Sequence, residues 1–482
     1  MLSKIVKSFK EHPFYETLKH GSIYSLVALF NNALAFLTIP IFTKYLSTEE
    51  YGKYEVVINS CKFFGIIATL NLQVGLMRYI YDKGKDKQAL INATVWACIC
   101  LLILAALVVY PFKDMLFGWI NIPYFSFLLP IIVGIQITTA LFNIFNTITI
   151  QEEKSKENAS VNILYNLLKT IIAILLIIWV SPTYKSRLWA EVAIGLFFSI
   201  YIIIRLCKNL SKNDFKSIDY EYVRYSIGLA PVVVSALALS YFDTLLINKF
   251  RGNNEAGIYA YSYKMIIIFA GISAAFNSSM RNKVFSYYGE DNTEHAHHIH
   301  LSNFKLVSLL LVGTCLFLPE LTRLITQQAS YIEGFVWVSV LFAGAYCFEM
   351  VEVFNVYLLY AKKNRIYVYS FFIACVVNVG ANYLLLPIYG YPVAAFITLF
   401  SYFILFLMVF ILIKKDKISS PSIGPFLAPI LLTFMALSLN WAIDWYRPTL
   451  LLWVYGSKIL LAVIYIILLY KKIIANRLFR KI

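Results

Sequence analysis

YFDTLLINKFRGNNEAGIYAYSYKMIIIFA runs from Tyr241 to Ala270. Two apolar runs flank a polar turn, and each run carries a charge within it: Asp243 in the first, Lys264 in the second. A charge near the centre of a bilayer costs on the order of 3 kcal/mol on insertion scales. Charges kept inside membrane-length apolar runs are therefore expected to face one another or a wet cavity. The reading of this stretch decides between a greasy soluble core and a membrane bundle with a polar interior.

Composition decides for the membrane. The chain has 482 residues, of which 60% are hydrophobic and 14% charged, against about 25% charged in a soluble domain. Single soluble cores rarely grow past roughly 250–300 residues. The apolar residues fall in runs of about 20, the length that crosses a bilayer as a helix. The expected fold is all-α and polytopic, with fourteen spans near 21–41, 54–77, 89–110, 123–149, 158–180, 188–206, 223–247, 257–280, 301–319, 334–359, 366–386, 391–413, 424–444 and 450–470. Residues 1–20 are basic and amphipathic without a small-residue cleavage site, and read as a cytoplasmic lead-in and not a signal peptide.

Charge sets the orientation. The N-terminus, the even-numbered loops and the C-terminus hold 28 Lys and Arg, the odd loops 9, which places both termini in the cytoplasm. The net charge of +16 is that of loops facing anionic lipid. Nucleic acid is excluded as a partner, since no basic patch interleaved with aromatics is present. The seven cysteines lie in or beside apolar runs without a CxxC, and read as small core residues. EHAHHIH (Glu294–His300) is expected in the loop after span 8, solvated and short of the ligands a metal site needs. No catalytic motif and no loop large enough for a soluble catalytic domain is found, so neither enzyme nor cofactor is expected.

The chain repeats itself. STEEYGKYEVVINSCKFFG from Ser47 and GNNEAGIYAYSYKMIIIFA from Gly252 align at an offset of 205, pairing Glu50 with Glu255, Gly52 with Gly257 and Tyr54 with Tyr259. Spans 1–6 then match spans 7–12 in order. Six spans separate the copies, so they are parallel repeats of the kind that frame transporter substrate sites. The expected organisation is a lead-in (1–20), an N-lobe (21–207), a linker (208–222), a C-lobe (223–413), and two further helices with a basic tail (414–482).

The repeat places the internal charges. Lys62 in span 2 maps to position 267, three residues from Lys264 in span 8, and so to nearly the same helix face at similar depth. Lysine is a compact cation suited to phosphate. Lys62 and Lys264, with Lys169 in span 5, are candidate substrate ligands. Asp243 is placed to pair with Lys264. Arg78 ends span 2 at the cytoplasmic face, where it is set to collect substrate or to anchor the helix. Lys305 is one turn from a helix end, where it snorkels, and Lys458 in span 14 meets a neighbouring helix or snorkels. Glu349 and Glu352 are three apart in span 10, and carry either a coupling cation or proton, or a structural pairing with Lys169 or Lys305.

On these residues the chain resembles the oligosaccharide flippases of the polysaccharide transporter family, in the superfamily that also holds MATE drug exporters and lipid II flippases. YLSTEEYGKYEVV resembles the family's loop and Gly-x-Tyr start of the second span, and GLMRYI its Gly…Arg-Tyr end, with Arg78 in the arginine place. YFDTLLINKFRGNNEAGIYAYSYKM and VVNVGANYLLLPIYGYPVAAFITLFSY resemble its passages through spans 7–8 and 11–12, with Pro392 where a small residue is commoner. The resemblance implies two six-helix lobes about a cationic lumen in a bacterial cytoplasmic membrane. It implies alternating-access transfer of an undecaprenyl-diphosphate-linked oligosaccharide to the outer leaflet, for O-antigen, capsule or exopolysaccharide. Membrane lipid, a glycan polymerase and other assembly proteins are the implied partners. The rival readings are a cation-coupled small-molecule exporter of the MATE type and a membrane glycan polymerase or acyltransferase.

Overall fold

In hydrocarbon a backbone must satisfy its own hydrogen bonds, which leaves helices as the form open to these apolar runs. A computed structural model describes residues 26–27, 29–80, 86–207, 211–290, 292–416, 422–447 and 451–475. The expected lead-in, 1–20, lies outside the described residues. Residues 29–37 are helical and pass, through Thr38, into α1 (Ile39–Tyr45). There follow α2 (Thr48–Ala68), α3 (Leu72–Tyr79), α4 (Lys87–Val109), α5 (Leu128–Gln151), α6 (Ser155–Trp179), α7 (Tyr184–Leu206) and α8 (Tyr220–Leu237). The chain continues with α9 (Asp243–Arg251), α10 (Asn253–Gly289), α11 (Thr293–Ile325), α12 (Val338–Tyr360), α13 (Asn364–Tyr389), α14 (Pro392–Lys415), α15 (Gly424–Tyr446) and α16 (Leu451–Ala475). Among the described residues twelve helices are long and apolar enough to cross a membrane, or thirteen when the bent pair α2–α3 is taken as one span. The first of the fourteen expected spans begins outside them.

Three boundaries differ from expectation. The fourth span starts at Leu128 and not at Pro123, with Pro130 in its first turn, where its missing N–H costs nothing. The seventh is not one uniform helix: Pro231 sits inside α8, and a π-helical turn, Ala238–Phe242, precedes α9. The eighth does not stop at 280. α10 runs 37 residues to Gly289, and α11 starts at Thr293, where the Asn292 side chain accepts from His295 N. EHAHHIH is therefore helical, not a loop. At 1.5 Å per residue α10 is about 55 Å long, well over the roughly 30 Å of hydrocarbon.

The chain divides into two compact units, one up to Leu237 and one from Ala238. The division falls inside the expected seventh span and not in the 208–222 linker. In the first unit α7 packs on α5 and α6, and α8 on α2 and α3. Gly75 makes the last contact possible, because a Cβ there would sit 1.9 Å from Ser226 Oγ. In the second unit α12 lies against α10, α14 and α15. At Gly344 a Cβ would meet the Leu399 backbone at 3.3 Å, so α12 and α14 pack closely there. The repeat recurs as geometry within each unit. Glu50 Oε2 accepts from Tyr184 N at 2.8 Å, and Glu255 Oε2 from Tyr391 N at 3.2 Å. Each glutamate thus ties the second span of its half to the start of the sixth.

The two helices outside the repeat are held by charge. Lys458 on α16 is 1% exposed and reaches Glu320 Oε1 at 2.8 Å and Asp444 Oδ1 at 2.9 Å. Arg323 and Arg447 reach the same two carboxylates. Three cations share two anions. Lys458→Met leaves the charges balanced, whereas Glu320→Gln leaves one carboxylate under three cations. Breaking a buried ion pair costs about 3–5 kcal/mol when a charge is left uncompensated. Thermal unfolding in detergent is expected to show a clearly larger loss for Glu320→Gln than for Lys458→Met; equal losses would contradict this arrangement.

Candidate functional site

The second span breaks where it is most polar. α2 ends at Ala68, and α3 leaves at a 58° bend. Leu70 and Asn71 both adopt positive φ, 52° and 58°. Asparagine tolerates the left-handed region, while a leucine there is strained. Helix α8 braces the break. Tyr222 Oη donates to the Leu72 carbonyl at 2.7 Å, and Asn71 Nδ2 to the Ser226 carbonyl at 3.4 Å. Asn71 is fully buried, and its Oδ1 has no hydrogen-bond partner.

Beside the break lies a cavity of about 220 Å³, lined by Lys62, Asn71, Gln73, Gln136, Thr139 and Asn143 among others. Lys62 Nζ donates to Asn59 Oδ1 at 3.0 Å, one turn back on α2. The space thus combines one cation with carboxamides and a hydroxyl, donors and acceptors fit for phosphate oxygens and sugar hydroxyls.

In the second unit Asp243, 2% exposed, opens α9 immediately after the π turn. Its Oδ2 accepts from Thr398 Oγ1 at 2.7 Å and Tyr259 Oη at 3.0 Å, and its Oδ1 from Asn382 Nδ2 at 2.8 Å. Every one of these donors is neutral, and Lys264, half-buried on α10, is not among them. The expected Asp243–Lys264 pair is thus not formed. Asn382 also reaches Asn378, and Asn382 Oδ1 is buried with no partner. A carboxylate, a hydroxyl and amide oxygens drawn together without a counter-cation offer a place for a proton or a small monovalent cation.

The remaining candidates are placed separately. Lys169 pairs with Glu191 at 3.3 Å, which also accepts from Tyr54 Oη at 2.7 Å. Lys169 is thus neutralised within its own half. Arg78, on the exposed end of α3, lies over the Tyr225 ring at 5.0 Å. Glu349 and Glu352 share a helix but not an environment. Glu349 accepts from Ser273 Oγ at 2.6 Å and Asn277 Nδ2 at 2.8 Å. Glu352 accepts from Tyr367 Oη at 3.1 Å and faces Arg281 at 3.7 Å. Among the described residues of the second unit neither pairs with Lys305, and Lys169 is taken up by Glu191. The histidines of EHAHHIH join aromatic packing: His297 contacts Tyr288 Oη at 2.8 Å, and His300 contacts Tyr357 Oη at 3.1 Å.

Sequence reasoning missed Glu191 and Arg187. The Arg187 guanidinium lies 3.5 Å from the centroid of the Tyr54 ring and 4.3 Å from that of Phe42. The repeat carried no signal for either, since at the offset of 205 they map to Phe396 and Pro392. Tyr54 reaches Glu191 as Tyr259 reaches Thr398, a likeness that only the folded chain displays.

Residues 17–280 match the family model described as polysaccharide biosynthesis protein, more than half of the chain. An uncharacterized membrane protein of Methanocaldococcus jannaschii is 21% identical over 432 residues, covering 83% of this chain and 100% of that one. Among solved structures, the lipid II flippase MurJ in an inward closed conformation superposes with a TM-score of 0.67 at 14% identity, over 94% of this chain and 99% of MurJ. An inward-facing MATE family multidrug resistance transporter of the MOP superfamily gives 0.55 at 16% identity, over 82% and 99%. A MOP superfamily transporter from Pyrococcus furiosus, described by the reverse polarity of its binding pocket, gives 0.51 at 14% identity, over 83% and 97%. These likenesses establish the MOP fold.

Proposed function

The chain belongs to the polysaccharide biosynthesis protein family, and from that membership we propose that it is a flippase for a lipid-linked oligosaccharide. The cargo is an undecaprenyl-diphosphate-linked glycan moved from the cytoplasmic to the outer leaflet of a bacterial cytoplasmic membrane, by alternating access and without covalent chemistry. The observation that carries this reading is the cavity at the broken second span. Lys62 meets phosphate, and Asn71, Gln73, Gln136 and Asn143 meet sugar hydroxyls. Broken helices in transporters mark such sites, because they free polar backbone beside the cavity. The charge bias places both termini in the cytoplasm. The Asp243 cluster couples transport to an ion gradient, the role expectation gave to Glu349 and Glu352.

A second reading, a cation-coupled exporter of small molecules, is favoured by the Asp243 cluster alone, for its carboxylate has no cationic partner among the described residues. Proteoliposomes separate the two. With a fluorescent polyprenyl-diphosphate glycan placed in one leaflet, the flippase accelerates its appearance in the other well above protein-free vesicles. Export of a cationic dye with no glycan movement would replace this reading by the exporter.

A further inference from the structure

A second cavity, of about 530 Å³, opens in the second unit among the ends of three helices, far along the chain from the broken span. His297 stands five residues into α11, Gly424 opens α15, and Leu469 lies toward the end of α16. α15, at 23 residues, has the length of a single crossing, so its N-terminus and the cavity beside it lie near the height of lipid phosphates.

Its lining is polar at the rim and apolar at the floor. His298, Leu301 and Lys305 follow one another at spacings of three and four residues, on one face of α11. His297 and Ser422 add further polar groups. Lys305 is 7% exposed and two turns deeper than the histidines, so its ammonium is largely taken out of water. Charges attract more strongly in a low-dielectric surrounding than in water, so an anion that enters beside Lys305 is held more firmly than at a surface lysine. The N-terminus of α15, a 23-residue helix with no side-chain cap, aims its positive end at the same space. Glu294 is the one acidic residue of the lining; its side chain is 91% exposed and lies 3.8 Å from His298. Phe426, Leu432 and Leu469 form the floor. In sequence, YKKIIANRLFRKI follows Leu469 directly and carries five basic residues and no acidic one.

One deep lysine, histidines at the rim and apolar side chains between fit an amphipathic anion and not a free one. Basic pockets between membrane helices hold acidic headgroups in this manner. We propose that the α11–α15–α16 cavity is a binding site for an anionic membrane phospholipid: the phosphate lies between Lys305, the histidines and the α15 N-terminus, and the acyl chains lie along Leu432 and Leu469. This site is separate from the Lys62 cavity and stands whatever the cargo.

The full chain, purified in a neutral detergent, tests it with dioctanoyl phosphatidylglycerol, dioctanoyl phosphatidylcholine and inorganic phosphate by isothermal titration. Phosphatidylglycerol binds saturably and at least about tenfold more tightly than phosphatidylcholine, and inorganic phosphate at matched concentration does not bind. Lys305→Gln weakens phosphatidylglycerol at least about tenfold. Ala428→Trp, which fills the lining while keeping every cation, abolishes binding even if Lys305→Gln fails to fold. Equal affinity for the two lipids, or unchanged binding in Ala428→Trp, overturns the site. Inorganic phosphate binding as tightly as phosphatidylglycerol overturns its assignment to lipid.

Discussion

Lys62→Ala lowers the outward appearance of the lipid-linked glycan about 10- to 100-fold, in membranes that hold the protein at wild-type level. A hydrogen bond to a charged group contributes about 1.5–3 kcal/mol, and each 1.4 kcal/mol is a factor of ten. The cavity around Lys62 is small and otherwise lined by uncharged groups, so no neighbour in the lining replaces the lost ammonium. Lys62 is half-buried and donates to Asn59 on its own helix; the unfolding temperature is read beside transport, so that a loss of fold is told apart from a loss of cargo contact. Lys62→Arg keeps the charge but adds bulk beside Gln136 and Asn71, and restores activity in part. Unchanged transport by Lys62→Ala would remove the cavity from the cargo path.

Asp243→Asn abolishes the dependence of transport on an ion gradient and lowers the rate at least about tenfold. The substitution conserves volume and removes the charge. It also sets an amide among Tyr259, Thr398 and Asn382, which all donate to the present carboxylate. Asp243→Leu goes further and strips three buried donors of their acceptor, at about 1–3 kcal/mol for each group left unsatisfied. That variant loses stability as well as transport. The measurement is glycan flux in proteoliposomes with and without an imposed sodium or proton gradient. If Asp243→Asn keeps the parent's response to the gradient, coupling resides elsewhere, and Glu349, held by Ser273 and Asn277, is the next carboxylate to test.

What the sequence told and withheld follows from what a linear pattern encodes. Apolar length fixes how many times the chain can cross, and the Glu-Gly-Tyr register fixes the repeat; both needed no tertiary information. Facing direction needs more. Asp243 and Lys264 lie at similar depth, but the π turn Ala238–Phe242 adds a residue to the register just before Asp243 and turns α9 about its axis. The carboxylate still reaches α10, but at Tyr259, ahead of Lys264 on that helix, and its other donors, Thr398 and Asn382, come from α14 and α13. Glu349 and Glu352 are about 60° apart around α12, enough to give them different neighbours. The run after Met280 lacks the glycine or proline that would have marked a helix end before Gly289, so polarity alone suggested a loop where the helix continues. Arg187 fell one residue outside the expected sixth span, although α7 begins three residues before it. Arg78 was legible as a helix end but not as a ring contact, because Tyr225 is remote in sequence.

The Glu50 tether to Tyr184 and the Glu255 tether to Tyr391 each close within their own stretch of chain. The earlier one can form while the later residues are still on the ribosome, since both its ends have already emerged. Folding can therefore run as one closure made twice in succession, with α15 and α16 clasped on through Glu320 and Asp444 after the second.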